Sequence, residues 1–405
     1  MVIDADNGAQ IDEERMATSR LVGSVIGALV ALTAAAHAQL MIIGNDQKLK
    51  FDDGKVTLQP SGHDSLSIVD MSKPANLRII ATIPLDNTII GPPTNLAITP
   101  KGDLALVANS VNGIEKDGKW DTVSDDRLFV IDLKANPLAV IATLHLGKRP
   151  SGMAINNAGT MALIANRDDG TISVLSIDGK EVKVTDTVTV SAASDGVAAV
   201  AITPDGKTAL AVKTSVDKVA VLAIDSGKVT CDKKNDLPAN NSPFNVAITP
   251  NGKLALIANT GNGGSSDGNM DTVSVVDLEA KPIRIIDHIM VGDSPEGLVI
   301  SPKGNLAVTI EARGSSKSKD TWFYHPAGAV TVLRIDGKHV TRVGEAGVGL
   351  LPEGGVFSAD GSYLYIGNFI DSDLSVFRVA GTQLTDTGHR FKLPGQPASM
   401  RAGPQ

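Results

Sequence analysis

From residue 93 onward, apolar and polar positions recur in one arrangement six times. The copies are PTNLAITPKGDLALVAN (93–109), PSGMAINNAGTMALIAN (150–166), VAAVAITPDGKTALAVK (197–213), PFNVAITPNGKLALIAN (243–259), PEGLVISPKGNLAVTIE (295–311) and PEGGVFSADGSYLYIGN (352–368). Each predicts two short apolar strands joined by a tight turn, because Pro and Gly supply the backbone angles a sharp reversal needs. A third strand follows each copy: RLFVIDL (127–133), TISVLSID (171–178), KVAVLAID (218–225), TVSVVDL (272–278), AVTVLRID (329–336) and LSVFRVA (374–380). A fourth, such as AVIATLHLG (139–147) or RIIDHIMVG (284–292), leads into the next copy. Four strands in a row form a meander that cannot bury both faces alone, whereas stacking such sheets around an axis does.

The two ends supply one more unit. Residues 41–46, 65–71 and 78–84 read as second, third and fourth strands, and Pro397 to Ala402 reads as the missing first strand. The expected fold is therefore all-β, a seven-bladed β-propeller over residues 39–405, closed by pairing the last strand with the first blade.

The recurrent motif P-x-x-h-A-I-T-P-D-G-K-x-A-L-I-A-N, followed by x-V-S-V-V-D-L, resembles the YVTN-type propeller repeat over residues 40–402. That resemblance implies a seven-bladed ring of the kind grouped with YncE-like and lactonase-like propellers, in bacterial and archaeal surface or periplasmic proteins. Its motif residues serve turns and packing, so it implies fold and leaves the chemistry open.

Composition narrows the classes. The formal charge is −8 and no Lys/Arg cluster forms a phosphate-binding stripe, so nucleic acid is not expected as a partner. Cys231 is the only cysteine, which excludes an intrachain disulfide and a cysteine zinc site. Met16 to Ala38 has a basic start at Arg20, an apolar run from Leu21 and an Ala36-His37-Ala38 cleavage pattern. That is the layout of a signal peptide, too short in its apolar run for a membrane anchor. Periplasmic or secreted placement, cleavage before Gln39 and no membrane span after cleavage are expected. The polar residues 1–15 read as an upstream extension, with translation expected to begin at Met16.

Chemistry is expected on the face where loop lengths vary. Two rings of residues should converge there. One opens the first strands, with Asn95, Phe244, Asn245, Glu296 and Glu353. The other ends the second strands with Asn109, Asn166, Asn259 and Asn368, but with Lys213 and Glu311 in two blades. Asn at that seat reads as a turn cap, and its oxygens are also candidate ligands. Glu296 and Glu353 occupy equivalent positions in adjacent blades, so they are candidates for an acid/base pair or for ligands of a divalent cation such as Ca²⁺ or Mg²⁺. Glu311 is a third candidate acid, with Arg313, Arg149 and Arg167 as counter-charges, while Lys213 and Arg149 are the candidates for a phosphate subsite.

The four long loops, 46–64, 110–126, 260–271 and 312–328, carry Phe51, Trp120, Trp322, Phe323 and Tyr324. Aromatics concentrated on loops predict binding by apolar contact or ring stacking. His63 and His325 have no ligand spacing, and Asp267-Gly-Asn269-Met-Asp271 lacks the continuation of a calcium loop. The leading expectation is a monomeric exported protein that binds a small molecule or protein partner through its loop-rich face. The alternatives are a lactonase-like hydrolase or lyase with its site at the channel mouth, and a surface-layer or adhesion module.

Overall fold

A computed structural model describes residues 39–403. The expected extension (1–15) and signal segment (16–38) lie outside the described residues. Seven four-stranded antiparallel sheets follow one another. Blade 1 takes 40–46, 65–70 and 78–84 from the start and 396–402 from the end, with Met41 opposite Ala402 and Ile43 opposite Met400. The inner strands of blades 2 to 7 are 96–98, 150–155, 197–202, 243–248, 295–300 and 352–357. Each is followed outward by three further strands, and in blade 4 the outermost edge is shared by 228–231 and 237–238. The ring is the expected one, and its closing strand begins one residue earlier than the motif predicts.

The core lies between the blades. Second strands such as Leu254–Asn259 are buried along their whole length, because both faces meet a neighbouring sheet. Leu254, Leu256 and Ala258 pack toward blade 6, while Ala255 and Ile257 pack toward blade 4. Seven such apolar clusters occupy the seven blade junctions, including the closing one, where Met41 and Ile43 meet Tyr365 and Leu374. The fourth strands are largely exposed, as in Glu181–Thr189. The six turn glycines, from Gly102 to Gly361, all have φ between +63° and +70°, which a side chain would strain.

Two of the four long loops are not irregular. Residues 49–52 pair with 55–58, and 111–116 pair with 119–124, as protruding hairpins. Their turns are Asp53-Gly54 and Asp117-Gly118, all four residues at positive φ, the two-residue reversal whose twist matches antiparallel strands.

The asparagine ring is a set of interstrand clasps. Asn259 donates from Nδ2 to Oγ1 of Thr272 (3.0 Å) and Oγ of Ser274 (2.9 Å), and Asn166 does the same to Thr171 and Ser173. Asn368 also accepts from the Gly349 amide at 2.9 Å. Removing such a buried amide strands its partners, at about 1–3 kcal/mol. Asn259→Ala should therefore lower stability by that amount in urea unfolding, whereas Trp322→Ala, at a side chain 81% exposed, should change it by less than about 0.5 kcal/mol.

Candidate active site at the channel mouth

The inner strands begin at one mouth of the central channel. Arg149, Ser242, Ser294 and Leu351 each stand just before the proline that opens an inner strand, and each has φ between +46° and +57°. That conformation costs a non-glycine residue about 1–2 kcal/mol. It turns the chain inward, and Arg149 and Leu351 thereby line a mouth cavity of about 420 Å³. Glu296 and Glu353, second residues of the inner strands of blades 6 and 7, line it with Arg167, Lys317 and Phe244.

The two carboxyls are buried, Glu296 8% and Glu353 1% exposed. Burial pushes Glu296 up to about 8, against the pull of Arg167 and Lys317. Glu353 is raised well above the carboxylate range, first by burial and then by the charge of Glu296. Its Oε2 has no hydrogen-bond partner among the described residues. Arg167 lies over the Phe244 ring, 5.5 Å from its centroid, and is held below its ordinary value by burial and then by Arg149. Arg149 reaches Asp168 at 3.4 Å, and Lys317 donates to Ser265 Oγ at 2.6 Å. A pair of carboxyls differing in their cationic neighbours can hold one proton and release another, the requirement for acid/base work. Among the described residues no third His, Cys, Asp or Glu joins them as a metal-holding group. Glu296 and Glu353 are the residues that could hold a cation, and Arg167 and Lys317 already act on Glu296.

The 49–58 hairpin roofs the cavity through Leu49, Phe51, Gly54 and Val56. Phe51 stacks edge-on against buried Phe369, centroids 5.8 Å apart, over Ala312, Leu351 and Ala398. Its base is held by Lys48, only 2% exposed, which bonds Asp64 and the Asn87 carbonyl and stands 3.5 Å from Asp46. Its tip meets the 312–328 loop, where the Lys319 amide donates to Asp53 Oδ1 at 2.9 Å.

The remaining candidates lie elsewhere. Glu311 occupies the asparagine seat of blade 6, accepting from Thr309 Oγ1 (2.7 Å) and the Gly292 amide (3.0 Å). Lys213 occupies it in blade 4 and pairs with Asp236 at 2.7 Å. Neither lines the cavity, and Glu311 Oε2 has no hydrogen-bond partner among the described residues. Asn109 bonds Asn112 and Asp125, Asn95 bonds Asn87 and the Ala108 carbonyl, and Asn245 bonds the Glu296 carbonyl at 3.2 Å. Trp120 sits on the second hairpin. Trp322, Phe323, Tyr324, Arg313 and His325 line a separate hollow of about 490 Å³ near Met270. Asp271 is pushed up to about 7 by burial while accepting from the Ser294 amide, so the 267–271 run anchors its own loop. Lys317 was not singled out by the sequence, because nothing distinguishes it from the neighbouring lysines of a polar loop.

No protein-family profile matches the chain, and no curated protein matches it. Solved structures do. A protein of Bacteroides uniformis, provisionally assigned as a 6-phosphogluconolactonase, superposes with a TM-score of 0.69 at 17% identity, over 90% of this chain and 99% of that one. The periplasmic gluconolactonase of Pseudomonas aeruginosa gives 0.65 at 17% identity, over 91% and 99%. A functionally unknown protein of Desulfotomaculum acetoxidans gives 0.66, also at 17% identity and over 91% and 99%. At this identity the likeness establishes the seven-bladed fold.

A Cβ on Gly54, itself at φ +78°, would overlap the Ser318 amide nitrogen. Gly54→Ala should lift the hairpin tip. Hydrogen exchange should then speed up at amides 49–58 while the blade cores keep their protection.

Proposed function

We propose that this chain is a lactonase-like hydrolase acting on a hydroxylated lactone that carries an anionic group. The observation that carries the reading is the Glu296–Glu353 pair in one roofed cavity with Arg149, Arg167 and Lys317. Support comes also from fold neighbours that include a gluconolactonase. The cations favour a substrate with a carboxylate or phosphate.

The roles follow from the neighbours of each carboxyl. Glu296, with Arg167 and Lys317 beside it, ionises first and is the base. Glu353, with no cation acting on it and Glu296 opposing its ionisation, stays protonated and is the acid. Glu296 takes a proton from water as the water oxygen bonds the lactone carbonyl carbon. The ring C–O bond then breaks, and the departing ring oxygen takes the Glu353 proton. Returning the proton from Glu296 to Glu353 through solvent restores the pair, and the product acid ionises. The basic side chains stabilise the charge that develops on the carbonyl oxygen.

A specific observation favours a second reading, partner binding without turnover. Trp322 is 81% exposed and stacks edge-on with Phe323 at 5.2 Å, on the rim of the same face. Membership of the YVTN-type group is likewise a proposal, supported by the repeated turn motif.

Hydrolysis of a panel of sugar-acid lactones by residues 39–405 separates the readings. Glu296→Gln and Glu353→Gln should each cut kcat/KM by about 10²–10⁴ while leaving a cooperative melt. The wild-type rate should rise as pH rises through about 8, where Glu296 loses its proton. No turnover of any lactone by a folded protein would overturn the hydrolase and leave partner binding.

A further inference from the structure

The opposite end of the channel is lined by different residues from the mouth cavity. The inner strands run from the mouth cavity toward the Pro/Gly turns, and at that end they enclose two connected hollows of about 580 and 240 Å³. Both are lined by Ala247, Ile248, Arg401 and Ala402. The rest of the larger wall comes from residues such as Ile98, Met153, Ile155, Val200 and Val246, and of the smaller from Leu298, Val299, Val356 and Phe357. Every blade contributes, and Arg401 is the one charged side chain in the lining of either hollow.

Arg401 is anomalous in this setting. Among the described residues no carboxylate lies within 4 Å of it and no side-chain hydrogen bond engages it, whereas Arg127 pairs with both Asp86 and Asp125, and Arg390 with Asp386. Burial alone holds it down, to about 10. The residue is half-buried, so its charge is partly screened from water while it has no counter-charge among the described residues. Its strand neighbours are fixed, since the adjoining Met400 is buried in the blade 7 junction and the Gly403 amide donates to the Leu40 carbonyl at 2.7 Å. The side chain therefore lines the lumen with no partner among the described residues.

We propose that this end of the channel is a binding site for an amphiphilic monocarboxylate, its carboxylate held by Arg401 and its hydrocarbon body by the apolar wall. The guanidinium fork matches a carboxylate in geometry and in single charge. A phosphate monoester would bring a second charge that no lining residue can meet. A small inorganic anion would leave the hydrocarbon wall unused. The site is independent of Glu296 and Glu353, which stand at the other mouth.

Decanoate is the probe, titrated calorimetrically into residues 39–405, with decanol and acetate as controls for tail and charge. Arg401→Met keeps the bulk and removes the charge, so it should weaken decanoate at least tenfold and leave decanol unchanged. Acetate should bind neither protein measurably. The Glu296→Gln/Glu353→Gln double variant should bind decanoate as wild type does. A cooperative melt of Arg401→Met without ligand shows that the variant folds. Decanoate binding that is absent from wild type, or equal in wild type and Arg401→Met, would overturn the proposal.

Discussion

The close approach of the seven inner strands around the channel is the constraint on which the site depends. It is possible because small residues stand where those strands converge. A Cβ at Gly297 would overlap the carbonyl of Glu353, one at Gly354 would lie 3.1 Å from Met400, and one at Gly152 would lie 2.7 Å from Ala199. Glu296 and Glu353 each precede one of these glycines. The same backbone proximity that packs blade 6 against blade 7 thus brings two carboxyls into one cavity. A bulkier residue at 297 would push the strands apart and separate the pair.

Closing the ring makes that proximity rigid. The terminal strand 396–402 completes blade 1, so the junction between blades 7 and 1 has the same apolar packing as the other six. Against this stiff frame the protein tolerates groups that oppose folding. Two buried carboxyls with raised proton affinity, a desolvated Arg167 and left-handed residues at Arg149 and Leu351 all sit at the mouth. Uncompensated burial and strain of this kind collect where a protein binds or reacts, and interblade packing offsets their cost. At the far end, Arg401 extends the same pattern to a second place.

Repetition made the fold legible. Six copies in phase define the blades, and the phase match of Pro397 with the other opening prolines predicts closure before any contact is known. Glu296 and Glu353 were legible for the same reason, as equal positions in neighbouring repeats. At Lys213 and Glu311 the repeat departs from Asn, which suggested chemistry. The structure sets both away from the mouth cavity, with Lys213 paired to Asp236 and Glu311 bonded to Thr309 and the Gly292 amide. The roof was written in the sequence as LKFDDGKVTL, whose Asp-Gly turn between alternating residues is a hairpin signal, but its length alone suggested a loop. Lys317 and Arg401 carry no pattern. Their roles come from which blades face each other across the channel, and that is a property of the closed ring.

The most direct test of the central claim is the titration of the two carboxyls themselves. Protein labelled with ¹³C at the glutamate carboxyl carbon, followed by NMR from pH 4 to 10 beside Glu296→Gln and Glu353→Gln, reports each group separately from any activity. A resonance with a midpoint near 8 that disappears in Glu296→Gln is expected, beside a second that is still protonated where Glu296 ionises. Removing the Glu296 charge should lower the midpoint of that second resonance. If every glutamate carboxyl instead titrates below pH 6, the pair is solvated and the acid/base site does not exist.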